Sequence, residues 1–324
     1  MIFTDSISGR TIASGEVPAG WEDYSTIVHT AQSFGRPFSA LVELRRANSG
    51  KLLFFNTGEC FHKIKFGQGE RHRDGAFDAR TLTPVMNFQT PETYLDKMAL
   101  RYSGGTSVGL FAREPLPGFS EEAGIYEELE RSRERLGELC APGIRIVIQN
   151  VYASAELRTY RAEREGKPYT LVLGAEICAT EYCLREAPEL QLSGEVVTPV
   201  DGMKLGIGMT AATVRQKAGG AFGGARTAGA KAAYVDWEAR RVFGFLTQGE
   251  PGSESSSVLR EWIRTFAVED DLYETMRTAP KDFDAERAAG QAESFRAQAE
   301  RVFANRLKLL FTDPGPTDGG ASTY

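Results

Sequence analysis

A cysteine, two histidines and an arginine lie close enough along the chain to suggest acid-base or metal chemistry. Cys60 and His62 are separated by one residue, and His72 and Arg73 follow in the next charged segment. Histidine exchanges protons near neutral pH, and zinc is commonly bound by cysteine and histidine. A zinc site normally combines two closely spaced ligand pairs, and the second pair is missing here. We therefore predict no metal and keep His62, His72 and Arg73 as candidate ligand-binding residues.

The motifs that bind nucleotides are incomplete. Segment 224–231 is rich in glycine, but Ala230 separates Gly229 from the lysine, and Ala232 stands where a phosphate-binding loop has serine or threonine. Gly206 and Gly208 lack the third glycine of a dinucleotide-binding turn. We expect no Gly-x-Ser-x-Gly nucleophile elbow, and no cysteine has the context of a recognised nucleophile. The sequence therefore predicts no cofactor and no catalytic residues.

The composition favours some classes of partner over others. The 324 residues are 41% hydrophobic, which is enough to build a substantial core. The chain has 38 Lys and Arg against 44 Asp and Glu, a net charge of −6 without blocks of like charge. Surfaces that bind nucleic acid are basic. We expect a protein partner or self-association, and no nucleic acid.

The N-terminus and the cysteines suggest a cytoplasmic protein. Residues 1–5 have neither the charged nor the apolar part of a secretory signal, and no stretch approaches the roughly 20 apolar residues that span a bilayer. The four cysteines do not have the spacing of a disulfide framework. Two of them, Cys178 and Cys183, are an odd number of residues apart in a predicted strand. Their side chains should therefore point to opposite faces of the sheet.

Two β-rich blocks are predicted to form the sheet that would position any site. In the first block, residues 38–45 alternate between apolar and polar residues, and 52–55 are apolar. Residues 48–50 between them predict a hairpin turn, because Asn and Gly accept the positive φ of tight turns. In the second block we predict four strands, at 144–153, 156–165, 169–182 and 232–246.

Thr90 begins the first predicted helix. Its side chain can cap the helix, Pro91 suits the first helical position, and Glu92 complements the positive end of the helix dipole. We expect this helix to reach about Arg101. Its buried side should carry three residues spaced by three and four positions, namely Tyr94, Leu95 and Met98.

Two further helices are predicted later in the chain. Residues 121–139 form a charged helix, in which Glu127 precedes Arg131 by four residues as a supporting ion pair. We expect its paired acids to lie on a solvated face. A loop at 253–257 should lead into a short helix at 258–266.

Residues 1–270 are predicted to form one domain, interrupted by a glycine-rich insertion at 184–231. A helical extension should follow at 271–312, and residues 313–324 should be a disordered tail. The extension carries an apolar stripe that must be buried against something. Its candidate partner-binding residues are Phe295, Val302, Phe303, Leu307 and Leu310.

The order of these elements resembles the Mog1/PsbP-like α/β/α sandwiches, in particular a group of uncharacterised bacterial proteins with that fold. The likeness rests on the Val-Pro-Ala-Gly-Trp sequence at 17–21, the loop and helix at 84–95, and the Asp-Trp pair at 236–237 that opens a strand. The resemblance implies an α+β fold, in which helices cover both faces of a central antiparallel sheet. It also implies protein binding rather than a shared set of catalytic residues.

Two functional hypotheses remain open. The leading one is a non-catalytic interaction or scaffolding module that uses a sheet edge, the insertion or the final helix. The alternative is an enzyme or small-ligand-binding protein with a pocket near His62, His72 and Arg73.

Overall fold

A computed structural model describes residues 1–4, 11–29, 38–46, 50–56, 58–66, 73–78, 83–103, 107–138, 144–164, 166–186 and 230–268. Within these ranges the protein has an α+β fold with three helices. Most of the predicted glycine-rich insertion lies outside the described residues. So do the predicted C-terminal extension and tail.

The first nine strands precede the first helix, and each is short. They are β1 (Ile2–Thr4), β2 (Thr11–Ser14), β3 (Glu22–Asp23), β4 (Thr26–His29), β5 (Phe38–Arg46), β6 (Lys51–Asn56), β7 (Glu59–Phe66), β8 (Phe77–Asp78) and β9 (Thr83–Pro84). Longer strands alternate with the helices in the rest of the described chain. In order these elements are α1 (Pro91–Tyr102), β10 (Val108–Pro115), α2 (Glu121–Glu138), β11 (Ile144–Arg164), β12 (Lys167–Glu186), β13 (Ala230–Gln248), α3 (Ser253–Thr265) and β14 (Ala267–Val268).

One nine-stranded sheet dominates the fold, with strand order β10-β11-β12-β13-β6-β5-β3, and all its strand pairs are antiparallel. β4 also pairs with β5. β6 and β7 lie end to end along the same edge of β13: β6 pairs with its residues 242–246 and β7 with residues 233–239. The long strands β11, β12 and β13 are therefore the frame on which the shorter strands assemble.

Helices pack on both faces of this sheet. On one face, Leu95 and Met98 of α1 belong to the same apolar cluster as Leu173 and Ile177 of β12. We call this the α1 face. On the opposite face, α2 packs over the start of β11 and α3 over the end of β13. The small sheet β1-β2-β14 joins that second layer through Phe3, which shares a cluster with α3.

Several local predictions are confirmed. Helix α1 begins after Thr90, whose hydroxyl oxygen accepts a hydrogen bond from the Thr93 amide at 3.4 Å, and Tyr94, Leu95 and Met98 are buried. β5 and β6 pair as the predicted hairpin, and Gly50 has a φ of +61°. In each case residues close in sequence carry the signal, so local chemistry was enough.

Two boundaries were predicted wrongly. Residues 144–164 form one continuous strand, not two, because pairing with β12 extends over the whole of β11 and carries it through Ser154 and Ala155. The third helix begins at Ser253 rather than at residue 258. Its first turn contains Ser255, which is buried, so tertiary contacts extend the helix through a serine-rich stretch that resembles a loop.

Gly58 separates β6 from β7 at a point where the two strands meet β13. Its φ is +94°, and a Cβ atom there would overlap the backbone oxygen of Ala239 on β13. Only glycine lets the backbones approach this closely while the chain bends. Both short strands depend on this residue to follow the same long neighbour.

Gly58→Ala should lower the free energy of unfolding by about 3 kcal/mol or more, because it adds a clash with a backbone to the cost of a positive φ. Gly166→Ala is the matched control. Gly166 also has a positive φ, +72°, but nothing would lie within 4 Å of its Cβ. That variant should lose only about 1 kcal/mol. Urea unfolding measures both, and equal losses would contradict the close approach at Gly58.

Candidate functional site

The sheet has a step where β10 ends. β10 pairs with β11 from Val108 opposite Ala162 to Pro115 opposite Glu156. Residues 144–155 of β11 continue beyond that point, paired with β12 on one side. Among the described strands, none pairs with the other side of this part of β11. The step therefore marks the beginning of an edge.

The sequence at 115–120 explains why β10 stops there. Pro115 has no N–H group to continue a ladder, and Leu116 turns inward to the face opposite α1, where it is 4% exposed against Gly174. Gly118 has a φ of +76°. The chain thus leaves the edge and crosses to the layer in which α2 begins.

A cavity of about 560 Å³ lies at the step. Three elements line it: the first residues of α1, the end of β10, and residues 152–156 of β11. The polar lining side chains include Glu92, Arg113, Ser154 and Glu156. The cavity is therefore a polar recess between a helix N-terminus and a strand edge.

A buried arginine lies behind the carboxylates of this recess. Arg158 of β11 is 1% exposed, and its guanidinium donates from Nε to Glu156 Oε2 at 3.0 Å and from Nη1 to Asp96 Oδ1 at 2.9 Å. Its Nη2 lies 3.3 Å from Glu92 Oε1 but makes no hydrogen bond. Tyr160 donates its hydroxyl to the same Asp96 oxygen at 3.0 Å. These contacts join α1 to β11 through charge.

The charges of this group stabilise one another. Burial opposes the charge of Arg158, but its contacts with Glu156, Tyr160 and Glu92 together outweigh burial, so the pKa of Arg158 is raised. The neighbouring guanidinium of Arg158 and the charge of Arg113 lower the pKa of Glu92. The group contains three carboxylates, those of Glu92, Asp96 and Glu156. It contains two guanidinium groups, those of Arg113 and Arg158, so its net charge is −1.

The residues predicted to bind a ligand, His62, His72 and Arg73, are not brought together in one described site. His62 is buried on the face opposite α1, where its Nδ1 lies 2.5 Å from Asp236 Oδ1 and its ring stacks on Tyr234. Arg73 is exposed next to Asp74, which accepts a hydrogen bond from Lys63. Because Lys63 follows His62 on β7, the two side chains point to opposite faces. The structure does not bring His62 and Arg73 together, and His72 lies outside the described residues.

The sequence predicted that the paired acids of α2 lie on a solvated face, but one of them is not exposed to solvent. Glu128 is buried and accepts hydrogen bonds from Ser132 at 3.0 Å and from Thr180 of β12 at 2.8 Å. Glu127 pairs with Arg240 of β13 rather than with Arg131 of its own helix. The buried stripe of α2 therefore includes polar residues that match polar residues on the sheet, which a count of apolar positions overlooks.

Two buried groups on β12 are held in environments that oppose charge. Burial raises the pKa of Glu176, although Arg241 opposes this effect with a hydrogen bond of 2.6 Å. Burial raises the pKa of Cys178 well above its ordinary value. Cys178 lies against α2, while Cys183 packs with Val147 on the other face, so the predicted opposite orientation of the two cysteines is confirmed. The thiol of Cys178 remains protonated and has a structural role.

The sequence prediction overlooked residues 105–109, which read Gly-Thr-Ser-Val-Gly and fit the pattern around the nucleophile of many hydrolases. In those enzymes the serine follows a strand and precedes a helix. Ser107 is exposed and has the reverse context, because it follows α1 and precedes β10. The surroundings that would activate this serine are therefore not formed by its local structure.

In the part of the chain that the structure describes, no group of three His, Cys, Asp or Glu residues is arranged to hold a metal ion. None of its helices has the length and apolar character needed to cross a bilayer. No protein family model, curated protein or solved structure matches this chain.

The sequence analysis missed the arginine site, although a signal exists. Glu156, Arg158 and Tyr160 alternate along β11 and so share the α1 face. Three polar or amphipathic residues in succession on the inner face of a strand indicate a buried polar contact. Their partners on α1 are about sixty residues earlier in the chain, so no local pattern could identify them.

Arg158→Met should destabilise the protein by about 1 kcal/mol at neutral pH, because the carboxylates of α1 and β11 lose their shared cation while Glu92 and Asp96 remain half-exposed to solvent. Arg158 and Arg113 lower the pKa of Glu92. The contribution of the Glu92 carboxylate to folding stability is therefore fully present above the ordinary pKa of a glutamate, and it is lost as the pH falls through the lowered value. The difference between variant and native protein should therefore shrink below about pH 4.

Urea unfolding at several pH values measures this difference. Arg161→Met is the control, since Arg161 is exposed and pairs with the exposed Glu250. It should change stability by less than about 0.5 kcal/mol at any pH. A constant loss for Arg158→Met across the pH range would mean that packing, not charge, explains the role of Arg158.

Proposed function

We propose that this chain is a non-catalytic protein-interaction module that binds an extended segment of a partner along β11, beyond the step. The observation that carries the proposal is the length of β11 that continues past Pro115. Unpaired backbone groups at a sheet edge are a template for another strand, and many modules bind peptides by adding a strand in this way.

The two edges at the step differ in how well they would accept a strand. β10 has an irregular register between Leu110 and Ala112 and ends at Pro115, and both features hinder further pairing. β11 pairs with β12 in regular register from Asn150 to Arg164. Residues 150–155 therefore combine a regular backbone with an available side, which favours β11 as the binding edge.

The arrangement of buried charge also supports a binding role. Glu176 bonds to Arg241, Glu181 to Lys65, and Arg158 to the acids of α1 and β11. These pairs join neighbouring strands and helices and so make the sheet rigid. A rigid sheet edge loses little entropy when a strand adds to it, which strengthens binding.

Membership of the Mog1/PsbP-like group is part of the same proposal. Its support is the antiparallel sheet with α1 on one face and α2 and α3 on the other, together with the sequence likeness described above. Proteins of that group mostly bind other proteins. We propose a cytoplasmic protein that binds a protein partner or itself, and does not bind nucleic acid.

The apolar stripe of the C-terminal segment is a second proposed contact, which rests on sequence alone. Its five residues, Phe295, Val302, Phe303, Leu307 and Leu310, lie outside the described residues. Deleting 285–324 should lower the mass measured in solution by light scattering if this stripe joins two copies of the chain. An unchanged oligomeric state, with unchanged partner binding, would remove the stripe from the proposal.

A pair of proline variants tests the binding edge. Of the neighbouring residues Ser154 and Ala155, one directs its N–H group toward β12 and the other away from it. Proline is tolerated only where the N–H group is not needed by the sheet. One of Ser154→Pro and Ala155→Pro should therefore unfold at markedly lower urea concentration, and the other should stay near native stability.

The variant that keeps its stability should lose the ability to bind extended peptides selected against the native chain, because its edge can no longer donate a hydrogen bond there. Fluorescence polarisation with labelled peptides measures this loss. Native affinity in a stable proline variant would exclude strand addition at this position of β11.

A further inference from the structure

We infer that the bound segment carries a lysine or arginine side chain that enters the cavity at the step. This inference rests on the proposed function, because it assumes that a strand adds to β11. It names the chemistry of the partner.

The charged group at the step is acidic after its ion pairs are counted. Glu92, Glu156 and Arg113 line the cavity. Asp96 and Arg158 join this group from outside the lining, so three carboxylates and two guanidinium groups leave a net charge of −1. The remaining acid of the lining, Glu114, is balanced by Arg260 at 2.6 Å, and this contact lowers its pKa. One further positive charge would neutralise the group.

Two carboxylates of the lining have capacity for a ligand. Within the described residues, Glu92 uses Oε1 for its contacts with both arginines, and Glu156 uses Oε2 for its contact with Arg158. A carboxylate can accept about four hydrogen bonds. The second oxygen of each group is therefore able to accept hydrogen bonds from an ammonium or guanidinium group.

Strand geometry places the basic residue. Along β11, Glu156 is opposite Pro115 of β10, so Ser154 is the first residue of the α1 face whose outer neighbour would come from an added strand. A side chain directly opposite Ser154 would point to the same face, with Glu156 on its diagonal within reach of a long side chain. Tyr152 lies on the other diagonal and offers its ring to the aliphatic stem.

A library of random peptides displayed on phage, panned against the full chain, tests this inference. The enriched peptides should share one position occupied by Lys or Arg. A synthetic peptide from this set should bind about fivefold more tightly than its counterpart with norleucine at that position, as expected for one partly exposed ion pair. In the double variant Glu92→Gln, Glu156→Gln this preference should disappear.

Glu122→Gln is the matched control, since Glu122 is exposed in the first turn of α2 and does not line the cavity. It should keep the full preference for the basic peptide. Enriched peptides without a basic position, or a preference that survives the double variant, would overturn the inference while leaving strand addition in place. Failure to enrich any peptide would instead overturn the proposed function.

Discussion

The burial of β12 on both faces is the constraint on which the rest of the structure depends. Every residue from 169 to 183 is buried, and the strand pairs with β11 on one side and with β13 on the other. A buried polar group must find a partner or lose free energy. The polar residues of β12 therefore determine which side chains its neighbours must supply.

Those requirements are met from several elements at once. Glu176 takes Arg241 and Arg240 from β13, and Thr180 takes Glu128 from α2. Because these partners come from β13 and from α2, the contacts fix the register of β13 and the position of α2 together. The charged residues of this region hold the layers in place, which is a structural use of side chains that could otherwise do chemistry.

On the α1 face a buried charge also needs partners, but here the group that supplies them lies beside a cavity. Arg158 is satisfied by acids from α1 and β11, but the group lies at the step of the sheet, where a cavity opens to one side. The ion pairs therefore position carboxylates at a strand edge without using all of their hydrogen-bonding capacity. On the opposite face the polar groups of β12 are covered by α2, whereas on this face the early end of β10 leaves a cavity beside the carboxylates.

The sequence by itself determined the elements whose signals are local: the cap and buried side of α1 and the β5–β6 hairpin. Only the tertiary structure decided that β11 is one strand, that Glu128 is buried, and that Arg158 joins α1 to the sheet. It also buried His62 and left Arg73 exposed, so the two do not form one site. The reason is physical, since caps and turns depend on a few neighbouring residues, whereas buried charges are stabilised by partners far away in the chain.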